Sequence, residues 1–281
     1  MTQIKIISMA DQRLRRAQFR EQAERAGVEW DFVDALRDPP PGLAYDPRWA
    51  ISHFGRPLAP GEIGCYASHW SVWRALVASG DAQWIVLEDD VVVDWAVMEL
   101  LAQFQAATLG IDLIRLYSTH PFDYRIAINS FLGPHSHLVE VRGLFMGTQG
   151  YLLTRRAARE LLRIGSQMAR PVDWLMARYW EYDLRNYCLF PFPLWERFAP
   201  SHIGERALRQ QGGTLDRLTR QAHRVFDRGQ RVLHDHWWFR ARPFGHTADV
   251  GRAFVTPHEQ QLLDQPPTGR VPRRPMVRQV K

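Results

Sequence analysis

Three consecutive acids, Glu88, Asp89 and Asp90, close the apolar run Trp84-Ile85-Val86-Leu87, and a fourth acid, Asp94, follows three valines. Like charges this close repel, so this much negative charge in one place needs a reason. The continuous apolar run reads as a strand of a sheet covered on both faces. Ligands of such sheets gather at the carboxyl ends of the strands. Residues two apart on a strand share a face, so Glu88 and Asp90 can point the same way. Two converging carboxylates are hard oxygen ligands suited to Mn²⁺ or Mg²⁺, which keep waters and bridge to a substrate phosphate. The alternative is a strand-to-loop corner of solvated acids, which is more ordinary for one aspartate than for three.

Other residues with chemical capacity lie in separate segments. Arg13, Arg15 and Arg16 open a helix after the first strand, where a helix N-terminus and guanidinium groups suit a diphosphate; they read equally as a solvated face. Gly147 and Gly150, around Thr148, let a backbone approach a sugar or phosphate, or simply make a tight turn. Ser68 and His69 sit on an aromatic-rich helix, where a histidine is either a satisfied core residue or a functional one. Glu62 suits the start of that helix. Asp173, after Pro171, either stabilises a helix N-terminus or serves as a general base.

The elements that must position these groups alternate between strand and helix. Residues 4–8 predict a strand. Residues 11–27 predict a helix with Leu14, Phe19 and Ala23 inward, closed by Gly27, and residues 28–36 a second strand. A proline-rich loop over 37–50 leads to a helix over 58–80 carrying Ile63, Tyr66, Trp70, Trp73 and Leu76, its tryptophans in the core. After the acidic strand come a helix (95–107), a strand (112–117), and a glycine turn, strand and helix (147–165) with Thr154 as N-cap. A helix over 171–182 and a proline-broken strand over 187–195 complete an α/β domain with a mostly parallel sheet flanked by helices.

Composition bounds the rest. The chain of 281 residues is 46% apolar and 23% charged, with a net charge of +6 and two distant cysteines, Cys65 and Cys188. That usage argues against a disulfide framework or a cysteine zinc site and fits a reducing compartment. The opening residues are too weakly apolar for a secretory signal, and no window reaches the roughly 20 apolar residues of a membrane span. The expected location is cytoplasmic, peripheral to the inner membrane at most. From about Glu205 the chain turns arginine-rich, dividing it into a main domain (1–204), a basic helical extension (205–265) and a flexible tail (266–281). The arginines from Arg206 to Arg242, interleaved with Leu208, Leu215, Leu218, Val225, Phe226 and Trp237, suit an anionic membrane surface or an ordinary packed helix.

Residues 58–73 (LAPGEIGCYASHWSVW), 84–94 (WIVLEDDVVVD), 147–162 (GTQGYLLTRRAARELL) and 171–176 (PVDWLM) resemble, in order and spacing, the motifs of glycosyltransferase family 25, over roughly residues 3–203. The resemblance implies a nucleotide-binding domain of the GT-A type and a UDP-sugar donor with Mn²⁺ or Mg²⁺. It also implies inversion at the anomeric carbon and a glycan or lipid-linked saccharide acceptor in lipopolysaccharide, capsule or related surface-glycan synthesis. Galactose is the expected sugar. On this chain it places metal ligation at Asp90, Glu88 and His202. Donor contacts fall on Ser8, Arg13, Arg16, Ser68, His69, Glu88, Asp89, Gly147 and Thr148. Ser8, Met9 and Ala10 depart from the family's usual Asn-Leu-Asp/Arg. The rival readings are an inactive relative, a polyanion-binding module built on the arginine-rich third, and a metal-dependent nucleotide-sugar hydrolase. No nucleic-acid motif supports specific nucleic-acid binding.

Overall fold

The computed structural model describes residues 2–24, 26–120, 122–182, 184–197 and 213–241. The elements run, in chain order, β1 (Gln3–Ser8), α1 (Arg13–Ala23), β2 (Trp30–Asp34), β3 (Ala44–Tyr45), α2 (Pro47–His53), α3 (Pro60–Ser79), β4 (Gln83–Glu88), β5 (Val91–Val93) and α4 (Trp95–Gln103). There follow β6 (Leu113–Arg115), β7 (Asp123–Ile128), β8 (His137–Arg142), β9 (Gly150–Thr154), α5 (Arg155–Ile164), β10 (Gln167–Met168), α6 (Val172–Met176), β11 (Tyr187–Phe190), β12 (Leu194–Glu196) and α7 (Thr214–Ala241). His202 and the tail from residue 266 lie outside the described residues.

The α/β class is as expected, but the sheet is mixed rather than mostly parallel. Its eight strands run in the order β2-β1-β4-β9-β6-β11-β8-β7. β1 is parallel to β2 and β4, and β11 is parallel to β6. β9 lies antiparallel between β4 and β6, and β8 antiparallel between β11 and β7. The β7–β8 hairpin occupies residues to which sequence pattern alone assigned no element. Its alternation is interrupted by a register shift between Ile126 and Ile128.

Side chains of β4 divide between the two faces, as a buried central strand requires. Trp84 and Val86 join Tyr66, Trp73, Leu161 and Met176 beneath α3, α5 and α6. Ile85 and Leu87 join Phe19, Met98 and Leu101 beneath α1 and α4. Both expected core tryptophans, Trp70 and Trp73, are buried. On α1 the expectation for Leu14 fails: Phe19 and Ala23 face inward, but Leu14 is 72% exposed. The helix presents its first turn to the strand ends instead of to the core.

Further boundaries differ, α1 ending at Ala23 and α4 at Gln103 among them. The stretch 37–50 is not all loop, because Asp46 accepts a hydrogen bond from Arg48 N–H and Pro47 starts α2. The expected helix over 171–182 ends at Met176, and a separate turn covers Tyr179–Glu181. There Arg178 and Tyr179 bind Asp227 and Asp235 of α7. The expected cap on α5 is present, with Thr154 accepting from Ala157 N–H. No helix among the described residues is long and apolar enough to cross a membrane.

Two glycines set close approaches that position the site. A Cβ on Gly64 would meet the Leu36 carbonyl oxygen at 2.7 Å, so α3 can lie against the segment leaving β2 only with glycine there. A Cβ on Gly150 would meet Leu194 at 2.3 Å and Leu87 at 2.8 Å, which makes that glycine a packing requirement rather than a ligand contact. Gly64→Ala is expected to destabilise the fold by about 1–3 kcal/mol, because backbone rather than a flexible side chain must yield. Urea unfolding checks this, and an unchanged midpoint would show that α3 tolerates the shift.

Candidate active site

Parallel pairing of β1, β2 and β4 brings Ser8, Asp34 and Glu88 to one edge of the sheet. There the acids acquire different partners. The buried Ser8 hydroxyl donates to Asp89 Oδ2 at 2.6 Å. Arg15 bridges Asp89 Oδ1 at 2.7 Å and Asp90 Oδ2 at 3.1 Å. Arg16 donates to the Ser8 carbonyl at 2.7 Å and to Asp34 at 2.5 Å, clamping the ends of β1 and β2 together. Arg13 is exposed. Of the arginines at this turn, Arg15 reaches the acids, Arg16 holds the strands, and Arg13 faces solvent.

Because β9 runs antiparallel to β4, its entry lies where β4 ends. Glu88 N–H donates to the Gln149 carbonyl at 3.0 Å, and the Thr148 hydroxyl donates to Glu88 Oε1. Gly147 precedes them with φ +104°, a conformation that favours glycine, and its carbonyl accepts from Arg115 Nη2. From α3, His69 sets Nε2 3.2 Å from Glu88 Oε1 and Nδ1 2.8 Å from the Tyr151 hydroxyl. Trp73 Nε1–H donates to the same hydroxyl at 2.9 Å. His69 is wholly buried, with its two ring nitrogens against Tyr151 and Glu88. Ser68 donates to the Gly64 carbonyl at 2.6 Å and accepts from Leu36 N–H at 2.8 Å, which commits its hydroxyl to the scaffold beneath the site. Glu62 receives Ala59 N–H and pairs with Arg56, as a helix-start acid should. Asp94 accepts from Val97 N–H as the N-cap of α4.

These contacts grade the three acids. Burial opposes ionisation of Glu88, but the His69 and Thr148 hydrogen bonds and the Arg15 charge outweigh it and hold its pKa below the ordinary value. Burial raises Asp89 against the opposing help of Ser8 and Arg15. Asp90 is pushed up to about 7, first by burial and then by Glu88, with Asp89 and Glu196 adding to it against Arg15. Its Oδ1 is buried and has no hydrogen-bond partner.

An acid in that condition fits a divalent cation, and Asp90 and Glu88 are the residues that would hold one. Glu196 also converges on this point. It comes from β12, which pairs with β5, and Arg197 N–H donates to the Asp90 carbonyl at 2.7 Å. A second donor set adjoins it: ligand atoms of Cys65, His69 and Glu88 lie within 4.8 Å of one another. Cysteine spacing alone argued against any such group, but Cys65 and His69 are one helical turn apart on α3. Burial, together with Glu88, Asp173 and Asp90, pushes the Cys65 thiol well above its usual range, so metal binding there would first have to remove a strongly held proton.

Asp173 occupies the first turn of α6, with Trp174 N–H on its Oδ1 at 2.8 Å. Its charge bears on both the Cys65 thiol and the fully buried Arg115. Arg115 was not singled out from sequence, since one arginine in a short apolar strand carries no motif. Tyr151 and Glu196 were missed for the same reason.

The family model for glycosyltransferase family 25 (LPS biosynthesis protein) matches residues 1–176. The chain belongs to glycosyltransferase family 25. Within this family it is 31% identical over 181 residues to the probable inactive glycosyltransferase 25 family member 3 of Bos taurus, covering 57% of this chain and 29% of that protein. It is 28% identical over 152 residues to procollagen galactosyltransferase 1 of Danio rerio, covering 52% and 25%. It is 30% identical over 159 residues to procollagen galactosyltransferase 1-B of Xenopus laevis, covering 52% and 24%. The chain thus spans less than a third of the length of these curated relatives.

The raised Asp90 sets a pH dependence with a defined sign. Its folded pKa, about 7, exceeds the ordinary 3.8, so the metal-free fold binds the proton more tightly than the unfolded chain does. Stability without metal therefore falls as pH rises from about 4 to 7. Mn²⁺ affinity should rise over the upper part of that range, with proton release on binding. Calorimetric titration in buffers of different ionisation enthalpy measures the released proton. Asp90→Asn should abolish both the proton release and the Mn²⁺ binding, and Mn²⁺ affinity that is flat from pH 6 to 8 would reject the assignment.

Proposed function

We propose that this glycosyltransferase family 25 chain is an inverting, metal-dependent hexosyltransferase with a GT-A-type donor domain. In this reading it moves galactose from a UDP-sugar to a hydroxyl of a glycan or lipid-linked saccharide in lipopolysaccharide, capsule or related surface-glycan synthesis. The work would be done at the cytoplasmic face of a bacterial membrane. The observation that carries the reading is the acid cluster at the end of β4, with a buried, unpartnered oxygen on Asp90. The galactosyl donor is suggested by the names of the procollagen galactosyltransferase relatives, and the surface-glycan setting by the family's description.

Bound Mn²⁺ or Mg²⁺ would neutralise charge on the departing diphosphate. The chain's own residues do the remainder. Arg15 and the first turn of α1 face the diphosphate position with positive potential. Ser8 and Arg16 fix the strand ends beneath it, and Thr148 and His69 keep Glu88 ionised and oriented. Asp173 takes the proton of the attacking hydroxyl. It stands in the first turn of α6, apart from the residues that would hold the cation.

Some relatives carry the word inactive in their names, so the reading needs a direct test. UDP and Mn²⁺ together should raise the thermal midpoint far more than either alone, because phosphate completes the cation's shell. Asp173→Asn should keep that joint stabilisation while transfer falls on the order of a hundredfold or more. Transfer near the parent rate would reduce Asp173 to a helix-start acid. Free galactose without labelled acceptor would identify a hydrolase, and UDP binding indifferent to chelator would remove the metal.

A further inference from the structure

Helix α7 is amphipathic in the reverse of the usual sense. A surface helix ordinarily turns its apolar stripe toward the core and its charges toward water. Here the side facing the domain is polar. Arg220 and Asp235 are buried, Asp227 is paired with Arg178, Asp235 accepts from the Tyr179 hydroxyl at 2.8 Å, and His223 stacks on His53 of α2 at 4.2 Å between ring centres. The outward side carries Leu218 (58% exposed), Val225 (73%), Phe226 (62%), Val232 (57%), Leu233 (63%) and Trp237 (69%). These positions fall within one broad face at 100° per residue, and among the described residues nothing covers them. Leu208 lies outside the described residues and the Leu215 side chain is not described.

Such a stripe is unfavourable in water, and six large apolar side chains on one face are not the scattered single exposures normal for a surface. Its margin indicates the occupant. Arg217, Arg224 and Arg228 are all exposed and project along one edge of the stripe, the arrangement that sets apolar side chains into acyl chains and guanidinium groups among phosphates. A protein groove would need a complementary acidic rim on one side only. A lipid surface supplies negative charge all along the edge. We propose that α7 is a surface-seeking helix that lies in the headgroup layer of an anionic bilayer and holds the α/β domain against it. The Arg178–Asp227 ion pair and the Tyr179–Asp235 hydrogen bond then act as the clasp between helix and domain. This goes beyond the transfer reading, and its test needs neither donor nor metal.

The test is co-sedimentation of the full chain with phosphatidylglycerol–phosphatidylcholine vesicles, against phosphatidylcholine alone, at low and high salt. The parent should bind the anionic vesicles and be released by salt. The variant Val225→Ser/Phe226→Ser/Leu233→Ser should bind at least about tenfold more weakly at either salt concentration. The variant Arg217→Gln/Arg224→Gln/Arg228→Gln should lose on the order of a hundredfold at low salt and show little further salt dependence. All six positions are exposed, so circular dichroism and heat unfolding should match the parent in both variants. Equal binding to neutral and anionic vesicles would overturn the proposal, as would parent-like binding by both variants. Light scattering that shows a dimer dissociated by the serine variant would assign the stripe to a second copy of the chain instead.

Discussion

Three carboxylates in sequence at the end of a buried strand are the constraint around which this fold is organised. Two charges 4 Å apart in surroundings of intermediate dielectric repel by roughly 4 kcal/mol, which is comparable to much of a domain's net stability. Each neighbouring element delivers a group that reduces this cost: Ser8 from β1, Arg15 from α1, His69 from α3 and Thr148 from the approach to β9. The offset is unequal. Glu88 receives two hydrogen-bond donors, Asp89 a hydroxyl and a guanidinium, and Asp90 only a share of Arg15. The residual need for positive charge is therefore concentrated at Asp90 Oδ1, the atom with no partner.

The reversal of strand direction at β9 is part of the same solution. A parallel neighbour to β4 would begin at the opposite edge of the sheet and send its preceding loop away from the acids. Running antiparallel, β9 pairs Gly150 with Leu87 and so lays Gly147, Thr148 and Gln149 beside Glu88. Gly150 admits Leu194 across that junction, and Leu194 starts β12, which carries Glu196 toward Asp90. Packing and electrostatics are thus served by one short crossing of chain.

What could be read from sequence follows from whether a signal is local. The strand 84–88, the long helix α3 and the cap at Thr154 announce themselves through apolar runs and capping residues, and each is where pattern placed it. The acid cluster was legible because three charges after an apolar run have few bland explanations. The direction of β9 was not, since a strand's sequence is the same whichever way its neighbours run. Leu14 misled because, at about 100° per residue, it lies across the helix from Phe19 and Ala23, so no rotation of α1 could bury all three. Glu196, Tyr151 and Arg115 are single residues in short strands, and only tertiary pairing gives them meaning. The alternation of apolar and arginine residues in α7 was visible, but not which side would face the domain.

The hydrogen-bond chain behind Glu88 has a direction, and that direction explains why Asp90 rather than Glu88 is the acid that titrates. An indole nitrogen can only donate, so Trp73 Nε1–H places its proton on the Tyr151 oxygen. Burial raises the Tyr151 pKa far above its usual range, so the phenol keeps its own proton. The acceptor at hand for that proton is His69 Nδ1. The ring must then carry its hydrogen on Nε2, 3.2 Å from Glu88 Oε1, where Thr148 also donates. Glu88 consequently faces two donors, and protonating it would set a carboxyl proton against hydrogens already there. A proton arriving at the cluster finds its place on Asp90. Two aromatic side chains that never touch the acids therefore decide which of them is left to take up a proton.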